Sequence, residues 1–322
     1  MKKVIMLSGV MILVTALVVF MKVPRTEAFR LAVQNGDLFS ISEALGAKQI
    51  TSLGDVKFIF DQKVDKILYG RGWHVAGTVT EMTGGTELWF RDGRNPDKRV
   101  TDEKVTYAFF DPRGEKVYYT NDSRDLFFVN VDGSSRTKIT DKSLFPDLSR
   151  DGRYLAYLKL NADWQPGDYY DQALGIAVFD LQTSEEKQVT KKTEDFNPLW
   201  SPDGKKILYF SLSPEGLASH FIMNSDGTDA KQLTNVGEKF VTDKTIPVPS
   251  EKPIWSNDGQ HLIYEADKVI WHIQLNSSLT SILKAEKVAY GISPQWNTDG
   301  KSVSVVISPQ ENEKSTQTVN LK

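Results

Sequence analysis

The side chains able to do chemistry in this sequence are few in kind and repetitive in placement. There are four histidines, His74, His220, His261 and His272, and no cysteine. No two histidines form a close helical ligand pair such as H-E-x-x-H, and each stands among ordinary loop or strand neighbours. Without cysteine there is no thiolate metal site, thiol nucleophile, disulfide framework or lipoprotein anchor. A G-x-S-x-G elbow, a P-loop and a dinucleotide fingerprint are likewise missing. What recurs is carboxylate: Asp151, Asp203, Asp258 and Asp299 each precede a glycine. Calcium requires about six or more oxygens, which a single hairpin turn seldom gathers. In a turn such a carboxylate accepts nearby backbone N–H groups instead. No metal and no cofactor is expected.

The elements that carry these residues repeat. Residues 200–210 read WSPDGKKILYF: a strand end, an Asp203-Gly204 turn, then Ile207, Leu208, Tyr209 and Phe210 opening a second strand. Asp-Gly between two apolar runs signals a hairpin, because Gly accepts positive φ without Cβ strain. Copies stand at 60–69, 110–119, 148–157, 255–264 and 296–305, the first with Val64 in place of the turn glycine. A third apolar strand follows each hairpin, at 88–90, 126–129, 176–179, 221–223, 269–271 and 316–321. The fourth strand has its own signature, a polar residue, an aliphatic one, then Thr. It reads Gln49-Ile50-Thr51, Arg99-Val100-Thr101, Lys138-Ile139-Thr140, Gln188-Val189-Thr190 and Gln232-Leu233-Thr234, with a degenerate Ser281-Ile282-Leu283. A four-stranded unit repeated at this spacing predicts an all-β, six-bladed β-propeller over residues 47–322. The first fourth-strand copy precedes the first hairpin, so residues 49–51 are expected to complete the last blade and close the ring.

Ahead of the repeats, residues 4–21 form an uncharged run after Met1-Lys2-Lys3. As a helix that run spans roughly 27 Å, close to the bilayer hydrocarbon thickness. Residues 1–28 therefore predict an N-terminal transmembrane helix acting as a signal-anchor, with the propeller extracytoplasmic. The alternative is a cleaved signal peptide and a secreted or periplasmic product, since Thr26 and Ala28 form a weak site before Phe29. Residues 29–46 read as a tether, with Leu38-Phe39-Ser40-Ile41 an extra strand of no assigned place. The near-balanced net charge of −3 argues against a nucleic-acid partner.

Ser201-Pro202-Asp203-Gly204-Lys205 and its copies, each followed by an aliphatic-aromatic strand and later a Gln-Leu-Thr type strand, resemble the TolB-like repeats. These form a WD-repeat-like propeller group common in bacterial envelope proteins, and the resemblance covers about residues 47–322. It implies the fold; blades of this kind serve both as binding scaffolds and beside peptidase domains. Two departures matter. TolB carries an α/β domain before its propeller, where this chain has the apolar run and tether. Prolyl-oligopeptidase relatives carry a hydrolase domain, for which the six units leave no residues. Neither activity is carried over.

Strand parity places the short Asp-Gly turns on one face and the long insertions, 70–86, 160–174 and 235–252, on the other. The long loops carry Trp73, His74, Trp164, Tyr169, Tyr170 and Phe240, aromatics that suit a protein or glycan partner. Packing onto their own blades is the competing use for each. The first strand of each blade lines the channel and opens at the same face with Lys57, Tyr107, Asp147, Asn197 and Lys252. Pro198, Pro253 and Pro294 stiffen those openings, and Trp200, Trp255 and Trp296 are expected in the core between blades. Two functions follow. One is a non-enzymatic, membrane-tethered or secreted binding or assembly module of the cell envelope. The alternative is a pore-centred, metal-dependent lactonase or sugar lyase with a metal held by residues such as Asp147 and Asn197.

Overall fold

Short apolar stretches separated mostly by two- to six-residue connections pair with their sequence neighbours, and that local rule builds the molecule. The computed structural model describes residues 30–34, 37–42, 46–63, 65–76, 83–165, 172–212, 217–233, 238–239, 252–266, 268–297, 299–310 and 313–321. Among them every element is a strand. The apolar run at 4–21 lies outside the described residues.

An N-terminal sheet of β1 (Arg30–Gln34), β2 (Asp37–Ser42) and β3 (Gly46–Gln49) comes first. The first blade is β4 (Val56–Lys63), β5 (Lys66–Ala76), β6 (Thr83–Arg91) and β7 (Lys98–Arg99). The second is β8 (Val105–Phe110), β9 (Lys116–Asn121), β10 (Leu126–Asn130) and β11 (Thr137–Thr140), bridged to the first by Thr86 and Val105. The third is β12 (Ser143–Leu148), β13 (Tyr154–Leu160), β14 (Ala173–Asp180) and β15 (Glu185–Gln188). The fourth has β16 (Asp195–Trp200), β17 (Lys206–Leu212), β18 (Leu217–Asn224) and β19 (Lys231–Gln232), with β20 (Glu238–Lys239) also on β18. The fifth is β21 (Ile254–Trp255), β22 (His261–Ala266), β23 (Val269–Leu275) and β24 (Ile282–Tyr290). The last is β25 (Ile292–Trp296), β26 (Ser302–Gln310) and β27 (Glu313–Asn320). Each is an antiparallel meander in sequence order.

The repeat motif has a physical account at each position. Gly204 takes φ +70° in the turn, while Asp203 Oδ1 accepts the Lys205 N–H at 3.1 Å and the Ser201 hydroxyl at 2.7 Å. Asp151, Asp258 and Asp299 make the same kind of turn bonds, so these carboxylates do turn chemistry. Trp200 packs with Ala156 and Ile176 of the third blade and Ile207 and Met223 of its own. Trp255 and Trp296 lie in the next two inter-blade clusters, as expected. The strand tyrosines end on carboxylates: Tyr69 on Asp97 at 2.6 Å, Tyr119 on Glu103 at 2.8 Å, and Tyr157 on Glu186. Burial and the neighbouring carboxylate raise the phenol pKa of Tyr69 and Tyr157, so both act as neutral donors.

Two expectations are corrected. The first hairpin pairs Lys63 with Lys66 and Asp61 with Leu68. The tighter turn shifts the repeat alignment, and Asp61 is a strand residue in register with Asp147, not a turn residue.

The second concerns closure. Residues 49–51 pair with β2, not with β27, whose only strand partner among the described residues is β26. Thr51 Oγ1 accepts the Leu38 N–H at 2.9 Å, and the Ile50 N–H donates to Leu38 O at 2.7 Å. Thr190, Val189 and Ile176 repeat this geometry in the third blade. The fourth-strand signature thus found the nearest third-type strand, the stretch at 37–42 that had no assigned place. The resulting sheet lies between the ends of the repeat array, β1 beside β4 and both β2 and β3 beside β27.

Candidate functional site

The first strands of the third, fourth and last meanders share an irregularity that comes from sequence. Register shifts fall between Leu144 and Asp147, between Phe196 and Leu199, and between Ile292 and Gln295. The extra residues are Phe145-Pro146, Asn197-Pro198 and Ser293-Pro294. Proline brings no N–H to a strand ladder, so it fits where the ladder is interrupted. Phe145 at φ +52° and Asn197 at φ +57° take the left-handed conformation there. Such a bulge releases carbonyls from the ladder.

Lys252, before Pro253, collects the released carbonyls. Its Nζ donates to Phe145 O at 2.9 Å, Pro146 O at 2.9 Å and Pro198 O at 3.1 Å. Asp147 Oδ1 lies 3.9 Å away, and the ammonium stands 5.8 Å from the Tyr107 ring centroid. The side chains of Lys252 and Asp147 are 14% and 22% exposed. Burial pushes the Lys252 ammonium down to about 8, against the pull of Asp147. Burial also raises the Asp147 carboxyl, opposed by Lys252 and the Trp200 N–H. Tyr107 is held as the neutral phenol by burial and by the negative charges of Asp147 and Asp61.

Tyr107, Asp147 and Lys252 are therefore brought together. Asn197 is buried beside this group, its neighbour Pro198 supplying a carbonyl, and its Oδ1 has no hydrogen-bond partner among the described residues. Lys57 is exposed on β4. A divalent ion does not fit the Asp147 carboxylate as it stands, because Oδ2 accepts the Trp200 N–H at 2.7 Å and the lysine ammonium faces Oδ1. No group of three or more metal-ligating side chains converges among the described residues.

Sequence reasoning missed two features. Asp61 Oδ2 accepts the Phe110 N–H at 2.8 Å, the same bond across a blade boundary that Asp147 makes to Trp200. Register identity with Asp147 was the signal, hidden by the shortened first turn. The second is a relay: His261 Nδ1 lies 2.9 Å from His272 Nε2, and His272 Nδ1 lies 3.2 Å from Glu286 Oε1. Pairing of Ile263 with His272 sets His261 diagonally across the hairpin, within imidazole reach. Both rings meet Trp296 edge-on, and burial lowers the His272 pKa.

On the long-loop face, the insertion expected at 70–86 is a hairpin extension of β5 and β6, with Trp73 and His74 in the strand and His74 paired to Gly85. Trp164 is corrected outright. It is only 4% exposed, packed with Leu160, Ala173, Phe196 and Phe210, with the Arg124 and Lys142 cations 5.6 and 5.5 Å from its ring centroid. It packs between its own blade and the fourth. Tyr169, Tyr170 and Phe240 lie outside the described residues.

Antiparallel meanders of mostly four strands, repeated in sequence order, are the pattern of a β-propeller. The chain belongs to the TolB β-propeller family, residues 110–322 matching the TolB beta propeller domain. It is 28% identical over 121 residues to the Uncharacterized peptidase YuxL of Bacillus subtilis (strain 168), covering 37% of this chain and 16% of that relative. The structure of oligogalacturonate lyase in complex with manganese superposes with TM-score 0.55 at 13% identity, over 92% of this chain and 97% of the other. Putative TolB from Agrobacterium tumefaciens gives TM-score 0.52 at 15% identity, over 86% and 94%. The tricorn protease gives 0.57 at 14% identity over 91% of this chain but only 34% of its own length. At these identities the likenesses concern fold alone.

Proposed function

We propose that this propeller is a non-enzymatic binding module of the cell envelope that engages a protein partner through its long-loop face, tethered through residues 4–21. The observation that carries the reading is the asymmetry of the connections. Hairpin turns such as 202–205 and 225–228 join their strands through a few residues, while twelve residues separate β13 from β14 and fourteen separate β20 from β21, and strand parity assigns the two kinds of connection to opposite faces. Long connections on a rigid scaffold are where binding residues concentrate. The family membership agrees with an interaction role.

The test is capture of the partner from an envelope extract with the full-length chain, followed by affinity measurement. Replacing Tyr169 and Tyr170 by alanine should weaken binding about tenfold or more. A control with Ser134 and Ser135 changed to alanine, on the turn face, should bind like the parent. Equal loss in both, with unchanged melting, would place the interface elsewhere.

A second reading, a pore-centred metal-dependent enzyme, draws on the likeness of fold to the manganese-bound lyase alone, since the Trp200 N–H and the Lys252 ammonium already occupy the Asp147 carboxylate. A large saturable thermal shift with manganese or calcium would favour it.

A further inference from the structure

We propose that the strand bulges at the channel mouth form an oxygen cage built for a small cation, and that the Lys252 ammonium is its resident ion. The donor and acceptor counts match. An ammonium has three N–H groups, and three backbone carbonyls receive them, those of Phe145, Pro146 and Pro198. The fourth wall is negative, the Asp147 carboxylate with its other oxygen fixed by Trp200. A fifth is the Tyr107 ring, whose π face attracts cations. These groups come from the second, third and fourth blades, while the lysine comes from the fifth. The side chain thus reaches across inner strands that share no ladder, joining four blades through one charge.

Carbonyls in this number, turned out of their ladders with a carboxylate beside them, are what hard cations take as ligands. An ordinary buried lysine pairs with a carboxylate; this one is surrounded chiefly by main-chain oxygens. The cage is independent of the loop-face reading: either can fail without the other.

The experiment has two arms on the full-length chain. In the first, Lys252→Ala empties the cage. The variant should melt about 6 °C or more below the parent, since it leaves Asp147 without its counter-charge. Propylammonium or potassium chloride near 0.1 M should restore at least half of that loss. Tetramethylammonium chloride at the same ionic strength should not, because its methyl shell is too large for the space and keeps the charge away from the carbonyls. In Lys252→Met, where a neutral side chain fills the space, no salt should act selectively. An unchanged melting point in Lys252→Ala, or equal recovery with tetramethylammonium, overturns the proposal. The second arm needs no variant and decides alone if the alanine protein does not fold. Hydrogen exchange of the side-chain ammonium protons, read by 1H–15N NMR at pH 6 where the amine is protonated, should be at least tenfold slower at Lys252 than at exposed Lys57. Equal rates overturn it.

Discussion

The Asp147 carboxylate accepts the Trp200 N–H at 2.7 Å across the boundary between the third and fourth blades. Asp61 does the same for Phe110 between the first and second, at 2.8 Å. Inner strands of a propeller have no ladder partner on the channel side, and a buried N–H without an acceptor is costly. A carboxylate one blade back supplies that acceptor. In the third blade the carboxylate also faces Lys252, so one side chain serves both the main-chain bond and the charge.

Asp147→Asn keeps an acceptor for Trp200 but removes the counter-charge of Lys252. It should cost about 3 kcal/mol, the lower end for breaking a buried pair, given the partial exposure of both side chains. Asp61→Asn should cost only about 1 kcal/mol, the scale of one altered hydrogen bond. Adding Lys252→Met to Asp147→Asn should recover part of the loss, because no unpaired charge then remains. Urea unfolding of the four proteins checks this; equal costs at 61 and 147 would show that the lysine contributes nothing to the difference.

His220 predicts an acid-sensitive stability. It is buried, its ring 4.3 Å from that of Phe210 and 5.6 Å from that of Tyr264, and burial lowers its pKa to about 4. The unfolded chain binds a proton near pH 6.5, while the folded chain stays neutral to about pH 4. Its contribution is therefore complete above pH 6.5 and declines as pH falls toward 4, by on the order of 3 kcal/mol. His220→Phe should flatten that part of the stability profile. A parent and variant with the same slope between pH 6.5 and 4 would assign the sensitivity to other groups.

Trp164→Ala should behave as a core truncation. A tryptophan packed with Leu160, Phe196 and Phe210 should cost about 3 kcal/mol or more when removed. Unfolding by urea measures it, and a variant as stable as the parent would return Trp164 to the list of surface anchors.

That residue also shows where the sequence stops being legible. The hairpins, the third strands and the fourth-strand signature could be read because each rests on contacts between neighbours in the chain. Trp164 could not, since loop aromatics that face solvent and those that fold back onto their blade have the same local sequence. The Lys252 cage depends on carbonyls, which carry no sequence label; only the X-Pro dipeptides hinted at the bulges that expose them. The His261 and His272 contact was readable in principle from hairpin register. Closure is not legible because the Thr signature specifies the kind of strand it pairs with, not which copy.

Closure supplies the last prediction. Thr51 is buried, and its Oγ1 is the acceptor for the fully buried Leu38 N–H. Thr51→Val preserves shape but leaves that N–H without its acceptor, costing about 1–3 kcal/mol, whereas Thr51→Ser keeps the bond. The N-terminal sheet sits between β27 and β4, so weakening it should loosen both ends of the ring together. Thr51→Val should therefore lower the midpoint of a single cooperative melt, with Thr51→Ser close to the parent. Hydrogen exchange should show lost protection at Leu38 and, with it, in β26 and β4. A small early transition in Thr51→Val, with the main midpoint and the protection of β26 unchanged, would mean that the sheet is an appendage and that the repeats close without it.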